Sequence, residues 1–156
     1  MVRPATSADL AAVGRLAAML VRLHHDFDPQ RFIAATPRTE QGYASYLATQ
    51  LNDASVVILV AVRDEEVLGY TYAGMEGHDW MALRGPAGAL YDIVVDPVHR
   101  GRGVGRSLLE ATITALEQRG APRVVLSTAD RNASAQQLFE RAGFRRTMIE
   151  MTREAE

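Results

Sequence analysis

The sequence predicts one mixed α/β domain with helices on both faces of a central sheet. Three observations carry this prediction. The chain has 156 residues, below the roughly 250 at which chains tend to divide into domains. Its apolar residues switch between helical and strand periods in the order β-α-α-β-β-β-α-β-α-β. A glycine-rich turn, HRGRGVG at 99–105, joins an apolar strand directly to an amphipathic helix. No repeat, linker or low-complexity tract marks a boundary, so a single domain over 1–156 is expected.

Each element has a local reason. Residues 2–4 suit a short strand. Ser7 suits an N-cap, and 8–24 place Leu10, Val13, Leu16, Ala17 and Leu20 on one helical stripe. Residues 25–37 hold two prolines and no clear period, the pattern of a loop or broken helix. Tyr43, Tyr46, Leu47 and Leu51 suit a second helix ending near Asn52-Asp53. Runs at 56–62 and 67–75 are β-branched and apolar, and Asp64-Glu65-Glu66 links them as a hairpin. A Gly/Pro-punctuated loop over 77–88 leads to a strand at 89–95, closed by Asp96-Pro97. The next helix repeats Val104, Leu108, Leu109, Ile113 and Leu116 and stops at Gly120, with Pro122 beyond. A short strand at 124–127 precedes a helix at 132–142, which turns Ala135, Leu138, Phe139 and Ala142 inward and stops at Gly143. Residues 147–152 suit a terminal strand.

Composition excludes several chemistries. The chain is 47% hydrophobic and 23% charged, so a packed core is expected. A net charge of -2 argues against a nucleic-acid partner, which selects strongly basic domains. The absence of cysteine excludes disulfides, thiolate zinc sites and a cysteine nucleophile. All 17 basic residues are arginine, which excludes a lysine Schiff base and a P-loop lysine. No signal-peptide core is present, and no apolar run reaches the roughly 18 residues of a membrane span. A soluble cytoplasmic protein with no membrane partner is expected.

The segment YDIVVDPVHRGRGVGRSLL, 91–109, carries the chemistry. Gly101, Gly103 and Gly105 alternate between a strand end and a helix start. Backbone amides freed of side chains, with the positive end of the helix dipole, make an anion site. Arg100, Arg102 and Arg106 add charge, and a phosphate or pyrophosphate is the natural occupant. The pattern G-x-G-x-x-G fails because Arg106 takes the sixth place, and G-x-x-x-x-G-K-S/T fails without lysine.

Arg100-Gly101-Arg102-Gly103-Val104-Gly105 fits the signature Q/R-x-x-G-x-G/A. The preceding IVVDP fits an apolar strand ending in V-x-P, and Asn132-Ala133-Ser134-Ala135 through Gly143-Phe144 fits N-x-x-A followed by GF. On these residues the chain resembles the GNAT superfamily of N-acetyltransferases, and the order of elements agrees from 2 to 152. The resemblance implies a mixed, mostly antiparallel sheet whose central strands, at 89–95 and 124–127, splay apart as an acetyl-CoA cleft. It implies direct acetyl transfer from acetyl-CoA within a ternary complex. Gly101, Arg102, Gly103, Val104, Gly105 and Arg106 would hold the CoA pyrophosphate, with Arg100 opening the motif. Ile93, Val94 and Val95 would offer main-chain groups to the pantetheine and the thioester carbonyl. Asn132, Ser134 and Ala135 would lie beside the CoA arm. A homodimer is common in the superfamily.

One departure is visible. The family often places tyrosine seven residues after the asparagine, as the acid for the departing thiolate, and here that residue is Phe139. A thiol pKa of about 8.5 makes the thiolate a tolerable leaving group, with water, Tyr91 or Ser134 as proton sources.

The acceptor amine must lose a proton before attack, a task for a carboxylate. Asp92 interrupts an apolar strand, and alternation sets it opposite Tyr91 and Ile93. It is the first candidate base, unless an arginine or backbone donors simply satisfy it. Glu76, at the end of the preceding strand, is the second candidate; the alternative is a solvated strand end. His24-His25-Asp26-x-Asp28 invites a metal reading, but His78 and His99 lie in other segments and no metal is expected. In the family the 24–40 segment shapes the acceptor site. Asp26, Asp28 and Glu40 would then favour a cationic acceptor, or merely decorate a solvated loop. Trp80 and Met81 would line the acceptor pocket, form a dimer contact or anchor their loop. The expected function is acetyl transfer to a primary amine on a small cationic molecule, a polyamine or aminoglycoside-like compound. The alternatives are a protein N-terminus or lysine, or a non-catalytic acyl-CoA sensor, which Phe139 favours.

Overall fold

The computed structural model describes residues 1–156. In chain order it contains β1 (Val2–Pro4), α1 (Leu10–Phe27), α2 (Thr39–Gln50), β2 (Val56–Arg63), β3 (Glu66–Glu76), β4 (Ala87–Val95), α3 (Val104–Gln118), β5 (Val124–Leu126) and α4 (Ala133–Arg141). The strands form one sheet in the order β1-β2-β3-β4-β5. The first four are antiparallel to their neighbours, and β5 alone runs parallel, beside β4. No helix is long and apolar enough to cross a membrane.

Two cores sandwich the sheet. On one face α1 and α2 bury Val13, Leu16 and Leu47 against Val60, Tyr70 and Val94. On the other, α3 buries Leu108, Leu109 and Leu116 against Leu59, Leu68 and Leu90, and Phe139 of α4 joins them. Each fully buried side chain of this size contributes about 1.5–3 kcal/mol. A buried hydroxyl pair ties α3 to β3: Thr112 donates to the Leu108 carbonyl at 2.8 Å and meets Thr71 Oγ1 at 2.7 Å. The β2–β3 hairpin turns through Asp64 and Glu65 with φ of 48° and 66°, the twist-matched two-residue turn.

Two glycines set the layer spacing. A Cβ on Gly14 would overlap the Glu40 carbonyl, so glycine lets α1 and α2 touch backbone to backbone. A Cβ on Gly88 would sit 2.9 Å from Leu116 Cδ1, so β4 lies flush under α3.

The structure departs from the sequence expectations at three ends. First, α1 runs on to Phe27, so His25 and Asp26 are helical too. Second, its entry is organised by Thr6 and Asp9 rather than Ser7. Asp9 accepts from the Thr6 backbone N–H at 2.8 Å and from its hydroxyl at 2.9 Å, while Arg3 grips the same carboxylate at 2.7 and 2.9 Å. Third, the terminal strand expected at 147–152 does not form, and nothing after Arg141 belongs to a regular element. Met148, Ile149 and Met151 stand exposed, and the segment is tied down by Arg31–Glu150 and Arg146–Glu140 ion pairs. A strand needs a ladder to join, and 147–152 pairs with no strand of the sheet.

Two predictions follow from this packing. Gly14→Ala lowers stability by about 1–3 kcal/mol in a denaturant melt. Gly42→Ala, whose new methyl meets nothing within 4 Å, raises it by up to about 1 kcal/mol through helix propensity. Arg3 and Thr6 hold the Asp9 carboxyl down at about 2, below the ordinary 3.8. This contribution is therefore present above the unfolded value and is lost as pH falls through the folded one. Stability measured from neutral pH down to about pH 2 drops less steeply in Asp9→Asn, from a lower starting value, than in the parent.

Candidate active site

The site begins with one extra residue. Tyr72 on β3 pairs with Asp92, and Ala73 pairs with Leu90, so Tyr91 is a bulge in β4. Before it, Gly88 and Leu90 pack toward α3. After it the phase flips: Ile93 and Val95 pack toward α3, while Val94 joins the α1/α2 core. Asp92 therefore turns toward α1 and α2. So does Tyr91, which corrects the expectation from alternation that Tyr91 and Asp92 lie on opposite faces; Asp92 and Ile93 do oppose each other.

The bulge also ends the contact with β5. The two strands pair only at Gly88–Val124, Ala89–Val125 and Leu90–Leu126. Beyond these residues a cavity of about 270 Å³ opens, with Asp92 and Ile93 on one wall and Ser127, Thr128, Asn132, Ala135 and Phe139 on the other. Its outer wall is Leu20, Val21, His24, Phe32, Ile33 and Tyr43. This is the splayed cleft expected between the central strands.

Asp92 stands where this cavity meets a second one of about 500 Å³. Tyr70, wholly buried, donates its hydroxyl to Asp92 Oδ2 at 2.9 Å. Burial pushes the Asp92 carboxyl above its usual range, and the Tyr70 hydrogen bond and nearby His24 restrain the rise. His24 reaches the site because α1 extends through it. Its Nδ1 donates to the Leu20 carbonyl at 2.9 Å, and its ring meets Phe32 edge-on.

The second cavity is walled by Gly42, Tyr43, Tyr46, Tyr72, Tyr91 and Asp92. Tyr43 and Tyr46 sit one turn apart on α2, and Tyr72 faces them from β3. The Tyr46 and Tyr72 hydroxyls meet at 3.2 Å, and the Tyr72 and Tyr91 rings lie 4.9 Å apart. Burial and a bond to Glu76 push the Tyr91 hydroxyl up to about 12.

Glu76 does not line either cavity. It accepts from the Tyr91 hydroxyl at 2.8 Å and from Arg84 at 2.5 Å, and Arg84 also approaches Asp79. Its geometry fits a group that aims Tyr91, not one that meets an acceptor.

The glycine-rich turn follows β4. Asp96 accepts from the Val98 N–H and from Arg15, and buried His99 lies 3.3 Å from Glu66 and 3.4 Å from Arg63. These contacts pin the turn to α1 and the β2–β3 hairpin. Gly101 and Gly103 take φ of 74° and 81°, a region costly for side chains. No atom lies within 4 Å of where their Cβ atoms would be, so the space over the amides is open. Gly103 caps α3, and Val104, Gly105 and Arg106 form its first turn. The three arginines do not act alike: Arg100 donates to the Val95 carbonyl at 3.1 Å, Arg106 folds back on Glu110 at 2.7 Å, and Arg102 is exposed over the turn.

Other expected residues fall differently. Asn132 lines the cleft and caps α4, accepting from the Ala135 N–H at 3.1 Å. Ala135 lines it too, whereas Ser134 is exposed and outside it. Of the two hydroxyls named as proton sources, only Tyr91 reaches the cavity. Phe139 is both cleft wall and core. Within 24–40, His24, Phe32 and Ile33 line the cleft but Asp26, Asp28 and Glu40 do not; Asp28 accepts from the Gln30 and Arg31 amides, and Glu40 faces Arg22. Trp80 and Met81 are exposed and line neither cavity, and Trp80 stacks on His78. The sequence reading missed the tyrosines of α2 and β3 as site residues. Their signal was present: the chain has five tyrosines, and four of them line one cavity.

Comparison with known proteins agrees with this geometry. Residues 19–144 match the model of the acetyltransferase (GNAT) family. A mycothiol acetyltransferase of Thermobispora bispora is 38% identical over 80 residues, 51% of this chain and 25% of that protein. The chain thus spans about a quarter of that relative's length. An Escherichia coli alanine N-acetyltransferase of ribosomal protein bS18 is 42% identical over 60 residues, 38% of this chain and 40% of that protein. Among solved structures, a mutant Bacillus halodurans protein superposes with a TM-score of 0.86 at 22% identity, over 100% of this chain and 99% of that one. With the family model covering most of its length and the cleft opening where β4 leaves β5, the chain belongs to the GNAT family of acetyltransferases.

Proposed function

We propose that this protein transfers an acetyl group from acetyl-CoA directly to a primary amine of a small cationic acceptor. One observation carries the reading: the half-buried Asp92 carboxylate stands at the junction of the inter-strand cleft and a second cavity, with no arginine lining either.

Acetyl-CoA supplies the acetyl group as a thioester. The open amides of Gly101 and Gly103, with the N-terminus of α3, suit its pyrophosphate, and Arg102 adds charge there. The edge of β4 from Tyr91 to Val95 has no β5 partner, which leaves its outward main-chain groups available along the cleft. N–H groups on such an edge stabilise a developing oxyanion. Arg100 already holds the Val95 carbonyl, so Ile93 and Val94 are the better placed of the three expected main-chain contacts.

Asp92 binds the acceptor ammonium and takes its proton. Burial makes it a stronger base than a solvated aspartate, and Tyr70 keeps the charged form accessible. Tyr91 is a hydrogen-bond donor rather than the acid for the thiolate: its pKa of about 12 lies far above that of a thiol, and its proton points to Glu76. The thiolate leaves without a dedicated acid and takes its proton from water. Glu76 positions Tyr91.

Four outcomes test this reading. Asp92→Asn lowers kcat/KM in a thiol-release assay by about 10²–10⁴-fold. In the parent the acid limb of kcat/KM lies above the ordinary aspartate range, because the base is active only when ionised and burial raises its pKa. Tyr70→Phe removes a bond to the carboxylate and moves that limb to higher pH, whereas a merely structural Tyr70 would leave the limb in place. Gly103→Val forces a β-branched residue to positive φ and weakens CoA binding by calorimetry about tenfold; unchanged CoA affinity overturns the loop assignment.

A further inference from the structure

Resting on the acetyltransferase reading, we propose that the acceptor carries two cationic nitrogens. The reacting amine is held at Asp92, and a second alkylammonium, not acetylated, lies against the tyrosines of the adjoining chamber.

The walls of that chamber are the argument. Four of its six lining residues are tyrosines and a fifth is the Asp92 carboxylate. No arginine, histidine or amide side chain lines it. Aromatic faces and one carboxylate attract a cation and offer little to an anion. The rings are held in place before any ligand arrives: Tyr46 and Tyr72 meet through their hydroxyls and sit edge-to-face at 6.2 Å, and Tyr72 packs 4.9 Å from Tyr91. Tyr91 is fixed in turn by Glu76. Burial raises the phenols of Tyr43, Tyr72 and Tyr91, so these rings are neutral across the working range.

The arrangement of the two cavities divides the labour. They share Tyr43, Tyr91 and Asp92. The first leads to the strand gap and the second leads away from it. A nitrogen at Asp92 therefore faces the cleft, while the remainder of the acceptor extends into the tyrosine chamber. A monoamine fills the first position only. A diamine or polyamine fills both, and its distal nitrogen stays charged because no base stands beside it apart from the Asp92 already engaged.

The test separates this proposal from the acetyl-transfer reading. Choline is the probe, a quaternary cation with no N–H to acetylate. Its comparison is the neutral alcohol of the same shape, in which carbon replaces the quaternary nitrogen. Binding is read from the ring signals of labelled tyrosine by NMR, with no turnover required. Choline is expected to shift the signals of Tyr46, Tyr72 and Tyr91 saturably, and the neutral alcohol is not. Tyr72→Leu weakens choline about tenfold, while Tyr72→Phe, which keeps the ring, changes it by less than about threefold. Tyr46→Leu, at a half-exposed helix position, gives the same reading should the Tyr72 variant not fold. Equal binding of the neutral alcohol, or no saturable shift with choline, overturns the proposal. Choline binding without thiol release from any amine keeps the chamber and removes the transfer reading. In the turnover arm, a diamine has a KM about tenfold below that of the monoamine of equal length, and Tyr72→Leu erases the difference. A KM ratio near one overturns the two-nitrogen acceptor.

Discussion

The site depends on the single unpaired residue in β4. A strand without a bulge carries all its even residues on one face, and Asp92 would then point with Gly88 and Leu90 into the apolar layer beneath α3. An unpartnered carboxylate there would be costly. Inserting Tyr91 turns Asp92 to the face where Tyr70 can donate to it. The same insertion increases local twist and takes β4 out of register with β5 just where the cleft must open. The proposed base, its hydrogen-bond donor and the inter-strand cleft thus share one origin in the backbone.

Around that origin the protein separates two electrostatic environments. In the proposed reading, the glycine turn, the start of α3 and Arg102 receive an anion, and the tyrosine chamber and Asp92 receive a cation. The arginine cluster that the sequence places at 100–106 is less of a cluster in space. Arg106 is neutralised by Glu110, and Arg100 is spent on the Val95 carbonyl, where it braces the end of β4. Backbone amides held at positive φ therefore carry more of the anion site than the arginine count suggests.

The sequence was legible wherever a local rule governs. The glycine alternation, the apolar stripes of α1 and α3, the β2–β3 hairpin and the helix beginning at Asn132 all follow from nearest-neighbour chemistry. Phase could not be read across the bulge, because an inserted residue leaves no periodic mark and makes Tyr91 and Asp92 look like opposite faces. Long-range pairing was equally hidden. Nothing near Glu76 announces Arg84 and Tyr91 as its partners, and nothing near Asp28 shows that its charge is consumed by its own loop amides. The expected strand at 147–152 failed for a related reason: strand character in a segment does not supply a neighbour to pair with.

The pairing of β4 with β5 at only three positions has a mechanical consequence. The two strands are joined at one end like the jaws of a peg, with Gly88 seated on Leu116 at the hinge. No ladder hydrogen bond crosses the gap between Ile93 and Ser127, so no backbone pairing fixes its width.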